Sequence, residues 1–338
     1  MDPLNTLDIQ NLRLRLPNTA RPVLAGINLT IRARETVALV GESGSGKTLT
    51  ARSVLRLLPP GAETEGTVRV NGEDVLAMAP DQLRRLRAGT AAMIFQDPRA
   101  AINPLRRVGD FLTEGVRLGG GIRAAEATAR AERMLAAVGL APGALRQYPG
   151  QLSGGMLQRV MIAAALMGDP KLLLADEPTT ALDVTTQAEV VALLGDVRDQ
   201  FGTGLLFVTH DLGLAAAISD RVYVMYAGLI AETGSADELF ARPRHPYTAA
   251  LLNSTPRLGS AHKRLAAIDG QPPGLQIELT GCPFAPRCRY ATDLCTEQVP
   301  AQLPVAGDPE HLVACHHSEK LELEKLESAK REGDSVHG

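Results

Sequence analysis

The sequence predicts an α/β fold built on a largely parallel sheet, with antiparallel strands attached to it. Three observations carry this. Thr36-Val37-Ala38-Leu39-Val40 is a short apolar run that passes directly into a glycine-rich turn and then a helix-compatible stretch. Strand-like and helix-like segments alternate later in the chain, the order expected of parallel strands joined by crossover helices. Near the N-terminus, apolar and polar residues alternate with the two-residue period of half-buried antiparallel strands.

In chain order, Leu12, Leu14 and Leu16 alternate with Arg13 and Arg15, and Ile27, Leu29 and Ile31 alternate with polar residues. Lys47 to Leu58 reads as a helix stopped by Pro59-Pro60. Val68 to Val70 followed by Asn71-Gly72 signals a hairpin. Arg107 to Val138 is rich in Ala, Arg and Glu at helical spacing, a helical insert. Lys171 to Ala175 is then a buried strand, Val184 to Gln200 a helix, and Leu205 to Val208 and Arg221 to Tyr226 further strands. After about Leu239 Pro and Arg become frequent and the cysteines appear, and from Ser318 to Gly338 the chain is nearly all charged or small, a solvated tail. The expected division is a main domain over 1–240 with the helical insert at about 97–168, an extension over 241–317 and the tail over 318–338.

A length of 338 residues suits one large domain with an appendage. A net charge of -3 gives no electrostatic footprint for nucleic acid, and 3% aromatic residues without Trp argue against base or sugar stacking as the main task. No apolar run reaches the roughly 18 residues that span a bilayer, and Met1 to Gln10 carries no basic residue of a signal peptide. The expectation is a cytoplasmic chain whose membrane spans, if it works at a membrane, belong to another subunit.

Gly41-Glu42-Ser43-Gly44-Ser45-Gly46-Lys47-Thr48 fits G-x-x-x-x-G-K-[ST] between a strand and a helix. Glycines let successive N–H groups turn toward phosphate oxygens, and the helix adds its positive end. Lys47 is then expected on the β- and γ-phosphates of ATP and the Thr48 hydroxyl on Mg²⁺. Asp176 and Glu177 end the apolar strand that begins at Lys171. A core strand would deliver Asp176 beside the phosphate loop to hold Mg²⁺ through water, and Glu177 to orient and polarise the attacking water. Two solvated acids at a strand end are the bland alternative.

Leu152-Ser153-Gly154-Gly155-Met156-Leu157-Gln158-Arg159 resembles the LSGGQ-type signature of ABC (ATP-binding cassette) ATPases, with Met156 where Gln is usual. Taken by residues alone, Ser153 is a helix N-cap. The resemblance implies more: Ser153, Gly154, Gly155 and Gln158 at the ATP of a second subunit, in a head-to-tail dimer with itself or a paralogue. It also implies the cassette fold, a mixed parallel core sheet with an antiparallel β subdomain and a helical subdomain. Gln96, in Met93-Ile94-Phe95-Gln96-Asp97-Pro98, is similar to the Q-loop glutamine that touches Mg²⁺ and senses the γ-phosphate. Ala181-Leu182-Asp183 is similar to the D-loop, and His210 to the switch histidine. The match covers about residues 5 to 240. The family's aromatic ring for adenine is replaced by Leu14, Leu16 and Pro17, so base stacking is expected to be weak or supplied differently.

Phe95 to Pro104 (FQDPRAAINP) and Arg244-His245-Pro246-Tyr247-Thr248 resemble the peptide importer ATPases of the oligopeptide and dipeptide permease group, a branch shared with nickel importers. The implied partners are two transmembrane permease subunits and an extracytoplasmic binding protein, with this chain on the cytoplasmic face of the membrane and no nucleic acid involved. The four cysteines lie at Cys282, Cys288, Cys295 and Cys315. That clustering favours a metal site over disulfides in a cytosolic chain. The start Cys-Pro-Phe-Ala-Pro-Arg-Cys resembles that group's extension, where some members carry an iron–sulfur cluster. The expectation is a [4Fe-4S] cluster, with an all-cysteine zinc site, reduced thiols or disulfides as alternatives, and His316 or His317 as substitute ligands. A soluble ABC ATPase acting on ribosomes or DNA is the competing class, disfavoured by a single motif set and no heptad run.

Overall fold

A computed structural model describes residues 5–180, 182–254 and 268–320. Strands β1 (Asn5–Arg15), β2 (Leu24–Arg32), β3 (Thr36–Val40), β4 (Glu63–Val70) and β5 (Glu73–Asp74) flank helix α1 (Lys47–Val54). α2 (Pro80–Arg85), β6 (Ala91–Ile94), α3 (Pro98–Ala101), α4 (Val108–Gly120), α5 (Ala124–Ala137) and α6 (Gly154–Leu166) lead to β7 (Leu172–Asp176). Then follow α7 (Val184–Phe201), β8 (Gly204–Thr209), α8 (Leu212–Ile218), β9 (Arg221–Tyr226), β10 (Leu229–Ser235), α9 (Ala236–Ala241), α10 (Pro246–Asn253), α11 (Asp293–Glu297), β11 (Leu303–Val305) and β12 (Asp308–Val313).

The antiparallel strands do not edge the main sheet. They form their own sheet, ordered β2-β1-β4-β5. A bulge explains how β1 keeps one apolar face. Leu7 and Ile9 point inward, then the register shifts between Ile9 and Leu12, and Leu12 and Leu14 point inward too. Asn11 takes φ 49° at the shift, and an added residue there moves even-numbered positions onto the face held by odd ones. Gly66 on β4 accepts the bulge because a Cβ there would lie 2.4 Å from the Asn11 carbonyl oxygen. Asn71 and Gly72, both left-handed, make the predicted hairpin between β4 and β5.

The main sheet has eight strands in the order β11-β12-β10-β9-β3-β8-β7-β6. β6, β7, β8, β3 and β9 are parallel, and β10, β12 and β11 continue the sheet antiparallel. β12 and β11 come from the cysteine-bearing extension and were not legible as strands in the sequence. Three apolar cores result. One joins the antiparallel sheet and α1 to one face of the main sheet, one joins α4 to α7 to the other, and the third packs α8 to α10 and Phe284 around β9 and β10.

Helix α1 is shorter than predicted. Arg56 turns left-handed, and the Leu57 N–H closes on the Arg52 carbonyl at 2.9 Å. That is a Schellman-type stop with Arg at the position glycine usually takes, and it ends the helix before the prolines do.

Candidate active site

Strand register assembles the site. β3 lies against β8 with Val40 opposite Thr209, and β8 lies against β7 with Val208 opposite Asp176. β6 lies beside β7 with Ile94 opposite Ala175. The carboxyl ends of β3, β8, β7 and β6 therefore finish along one edge at the usual strand spacing of about 4.8 Å. The loop from Gly41, His210, the pair Asp176-Glu177, and Gln96 each leave one of those ends, which brings together residues up to 169 positions apart in sequence.

The phosphate loop cannot be built with ordinary residues. Gly46, the N-cap of α1, has φ 109°, and a Cβ on it would press 2.7 Å from both Leu24 and Met225 side chains. A Cβ on Gly41 would lie 2.1 Å from the Met225 carbonyl oxygen. Lys47 Nζ donates to the carbonyl oxygens of Gly41 (2.8 Å) and Glu42 (2.9 Å). Burial lowers the Lys47 pKa, and the carboxylates of Glu177, Asp176 and Glu42 partly offset this. The first turn of α1 holds no acidic residue, so nothing there opposes an anion at the helix start. Ser45 Oγ is buried without a hydrogen-bond partner, and Ser43 and Gly44 complete the turn.

Thr48 Oγ1 donates to Asp176 Oδ1 at 2.9 Å. Burial raises the Asp176 pKa against the Thr48 hydrogen bond, and its second oxygen, Oδ2, is buried and unpartnered. A hydroxyl and an orphaned carboxylate oxygen side by side are hard oxygen donors of the kind Mg²⁺ takes, so these residues fit that ion.

Glu177 is the hub. Gln96 Nε2 donates to its Oε2 at 2.9 Å, Thr180 Oγ1 donates to the same oxygen at 3.0 Å, and His210 Nδ1 lies 3.4 Å from Oε1. Thr180 was not singled out in the sequence, because its role depends on the turn that brings it back three residues onto Glu177.

The signature segment stands apart from this cluster. Ser153 Oγ accepts from the Met156 N–H and caps α6, as its sequence position predicts. Gly154 and Gly155 approach Leu182 and Thr186, and a Cβ on Gly155 would meet Thr186 at 2.8 Å. Asp183 caps α7, accepting from the Thr186 N–H and hydroxyl, and those hydrogen bonds lower its pKa. Gln158 is 1% exposed with Nε2 unpartnered, so its side chain belongs to the interior of α6's packing. Ala181 lies outside the described residues, as does the tail beyond residue 320.

The extension is fixed by its own motif. Glu232, fully buried on β10, accepts from the N–H groups of Arg244 and His245 and sits 2.7 Å from His311 Nε2 on β12. His245 Nδ1 accepts from the Tyr247 N–H and caps α10, and Pro246 fills the first helical position. Tyr226, Tyr247 and Phe284 pack with ring centroids 4.6 to 5.4 Å apart. Residues 273–276 strap the loop after β1: Arg21 donates to the carbonyls of Pro273 and Gly274, and the Ala20 N–H to that of Leu275.

All four cysteines are unpaired, and all four line one cavity of about 10 Å³ with His245, His316 and His317. Among the described residues, however, no group of three or more His, Cys, Asp or Glu is placed to hold a metal ion. The expected metal site is thus not present as an arranged ligand set. Burial keeps the Cys282, Cys288 and Cys315 thiols protonated by raising their pKa values, that of Cys315 to about 11, and neutral thiols pack as small apolar groups.

Residues 24–180 match the family model described as ABC transporter, and residues 231–295 match that of the oligopeptide/dipeptide transporter C-terminal region. The oligopeptide transport ATP-binding protein OppD of Salmonella typhimurium is 44% identical over 318 residues, 93% of this chain and 94% of that protein. The chain belongs to the ABC transporter ATP-binding proteins of the oligopeptide/dipeptide group. OppD of Escherichia coli is 43% identical over 300 residues, 88% of this chain and 89% of that protein. Among solved structures, the dimeric structure of a bacterial ABC transporter cassette superposes with a TM-score of 0.60 at 27% identity, covering 68% of this chain and 98% of that one. ATP and Mg²⁺ are the ligands expected of an ABC transporter ATP-binding protein. No helix among the described residues is long and apolar enough to cross a membrane.

Proposed function

We propose that this chain is the ATP-hydrolysing subunit that energises an ABC importer of di- and oligopeptides. The convergence of Gln96, Thr180 and His210 on the Glu177 carboxylate, beside Lys47 and Thr48, carries the reading. The loop N–H groups and Lys47 bind the phosphates. Thr48 and Asp176, with Gln96, would hold Mg²⁺, which would neutralise phosphate charge. Glu177 takes the proton of the attacking water, Gln96 and Thr180 fix its carboxylate, and His210 steadies the γ-phosphate.

Ser153, Gly154, Gly155 and Asp183 have no part in that cluster. They are assigned to the ATP of a second cassette, a copy or paralogue packed head to tail, and this supports a dimer as the working form. Gln158 supports α6 from within. The domains are assigned as 1–240 for the cassette, with about 97–168 its helical part, and 241–317 for the extension. An apolar groove of about 440 Å³, lined by Leu57, Phe95, Ala101, Phe111, Val116 and Met161, is the seat for a helix of a transmembrane permease subunit. Under this reading the chain sits on the cytoplasmic face of the membrane, and an extracytoplasmic binding protein delivers peptide.

For the cysteine pocket, four thiols have the donor chemistry of a thiolate-held iron–sulfur cluster, with zinc as the alternative, but among the described residues they do not stand as an arranged ligand set. Binding requires the buried thiols to ionise and close on the metal. Anaerobically prepared protein is expected to absorb near ~400 nm from sulfur-to-iron charge transfer, and colourless protein with stoichiometric zinc assigns zinc instead.

The decisive experiment for the ATPase is Glu177→Gln. ATP affinity is expected to be retained while turnover falls about 10²- to 10⁴-fold, the range for loss of a general base. Turnover near the wild-type rate in that variant refutes the assignment.

A further inference from the structure

Glu42 places a carboxylate inside a loop built to receive a polyanion, and elementary electrostatics makes this a liability. A free carboxylate a few ångströms from a triphosphate repels it, and the effect grows where water is excluded. The extension meets this charge directly. Arg287 Nη1 donates to Glu42 Oε2 at 2.7 Å and Nη2 to Oε1 at 2.9 Å, a two-point pairing whose arginine side chain is only 4% exposed. Arg287 is itself held. Its Nε and Nη2 donate to the carbonyls of Asp269 and Ile268, Nη1 donates to the Tyr226 hydroxyl, and its guanidinium lies over the rings of Tyr226 and Phe284. The extension also holds the loop's backbone, since the Tyr247 hydroxyl accepts from the Glu42 N–H at 2.8 Å.

We propose that Arg287 is a positioning residue of the ATP site: it neutralises Glu42, 245 residues before it in the chain, and draws its carboxylate away from the phosphates, so that the extension sets the affinity for ATP. Arg287 does not touch substrate in this scheme. It acts through Glu42, and what it governs is binding, with little effect on the chemical step performed at Glu177.

The inference rests on the loop being an ATP site, and the two are tested separately. The full-length chain is titrated with ATP, and turnover at saturating ATP is measured in the assembled transporter. Wild-type binding that Lys47→Ala abolishes establishes the site, and a wild-type chain that fails to bind ATP sinks that assignment by itself. With the site established, Arg287→Met is expected to weaken ATP affinity about tenfold, the scale for exposing one unpaired charge beside a polyanion. Its kcat should stay within about threefold of wild type, because binding common to ground and transition states is what is lost. The defect should shrink at high salt, which screens the exposed carboxylate.

Adding Glu42→Gln to Arg287→Met should restore affinity to within about threefold of wild type, because the repelling charge is gone. A purely structural role for Arg287 predicts no such rescue. Unchanged affinity in Arg287→Met, or a double variant as weak as Arg287→Met, overturns the proposal. Should Arg287→Met fail to fold, Glu42→Gln alone decides. It leaves Arg287 as an uncompensated cation beside the phosphates and is expected to tighten ATP binding about threefold. Unchanged or weaker binding there overturns the proposal equally.

Discussion

Glu177 is held at φ 46°, a left-handed backbone that side-chain-bearing residues seldom take, with its N–H bonded to the Val208 carbonyl at 2.9 Å. The strain turns the carboxylate off the line of β7 and toward Gln96, Thr180 and His210, which is the kind of cost that persists where the surrounding sheet dictates it. His245 shows the opposite economy, a titratable group kept neutral. Burial depresses its pKa to about 4 from the usual 6.5, with the Glu232 carboxylate opposing that shift. The unfolded chain therefore binds a proton at His245 between pH 6.5 and 4 that the folded chain refuses. Stability from this residue is complete above pH 6.5 and falls as pH drops toward 4, by about 3 kcal/mol in all. His245→Asn keeps an acceptor for the Tyr247 N–H but cannot titrate. Denaturant unfolding at stepped pH should show a smaller acid-side loss in that variant by about this amount, and equal slopes would refute the account.

Among the elements, β12 shows how the extension is attached. It pairs with β10 through Glu232 opposite Val313 and Thr233 opposite Leu312, and His311 sends its ring to the buried Glu232 carboxylate. Removing one member of a buried pair strands the other. His311→Leu is expected to cost about 3 kcal/mol, seen as a lower melting temperature and faster proteolysis of the extension, by the usual penalty for an uncompensated buried charge. An unchanged melting temperature would show that the two backbone donors at Glu232 suffice. The bulge in β1 illustrates a different limit on reading elements from sequence. Leu12, Leu14 and Leu16 signal a strand correctly, yet Leu7 and Ile9 are out of phase with them, and only the extra residue at Asn11 reconciles the two sets.

At the scale of the molecule, the segment that follows β6 serves both the site and the apolar groove. Gln96 reaches Glu177, while Phe95 and Ala101 line the groove. A helix seated there would press on the segment whose Gln96 holds the Glu177 carboxylate. Phe111→Glu puts a charge into the groove and is expected to weaken assembly with the permease about tenfold or more, the cost of a buried unpaired carboxylate, while ATP affinity of the isolated chain stays at the wild-type value. Co-purification and nucleotide titration of the same preparation read both quantities. Loss of ATP binding together with assembly would mean that the substitution disturbs the helical core rather than the docking face.

The phosphate loop, the acid pair and the Ser153 cap of α6 were legible because each is a local requirement. Glycines must occupy the turn, acids must follow an apolar strand, and a hydroxyl must cap the helix, so residue types at fixed spacing suffice to reveal them. The family resemblance added Gln96 and His210, whose isolated types say little. What only the folded chain decided is long-range. The antiparallel strands form a separate sheet, β11 and β12 extend the main one, Thr180 turns back onto Glu177, and Arg287 reaches Glu42. None of these leaves a periodic trace in sequence, because hydrogen-bonded pairing and charge pairing between distant segments depend on where the backbone travels. The cysteines mark the same boundary: their clustering announced a ligand set, but among the described residues they are not arranged as one.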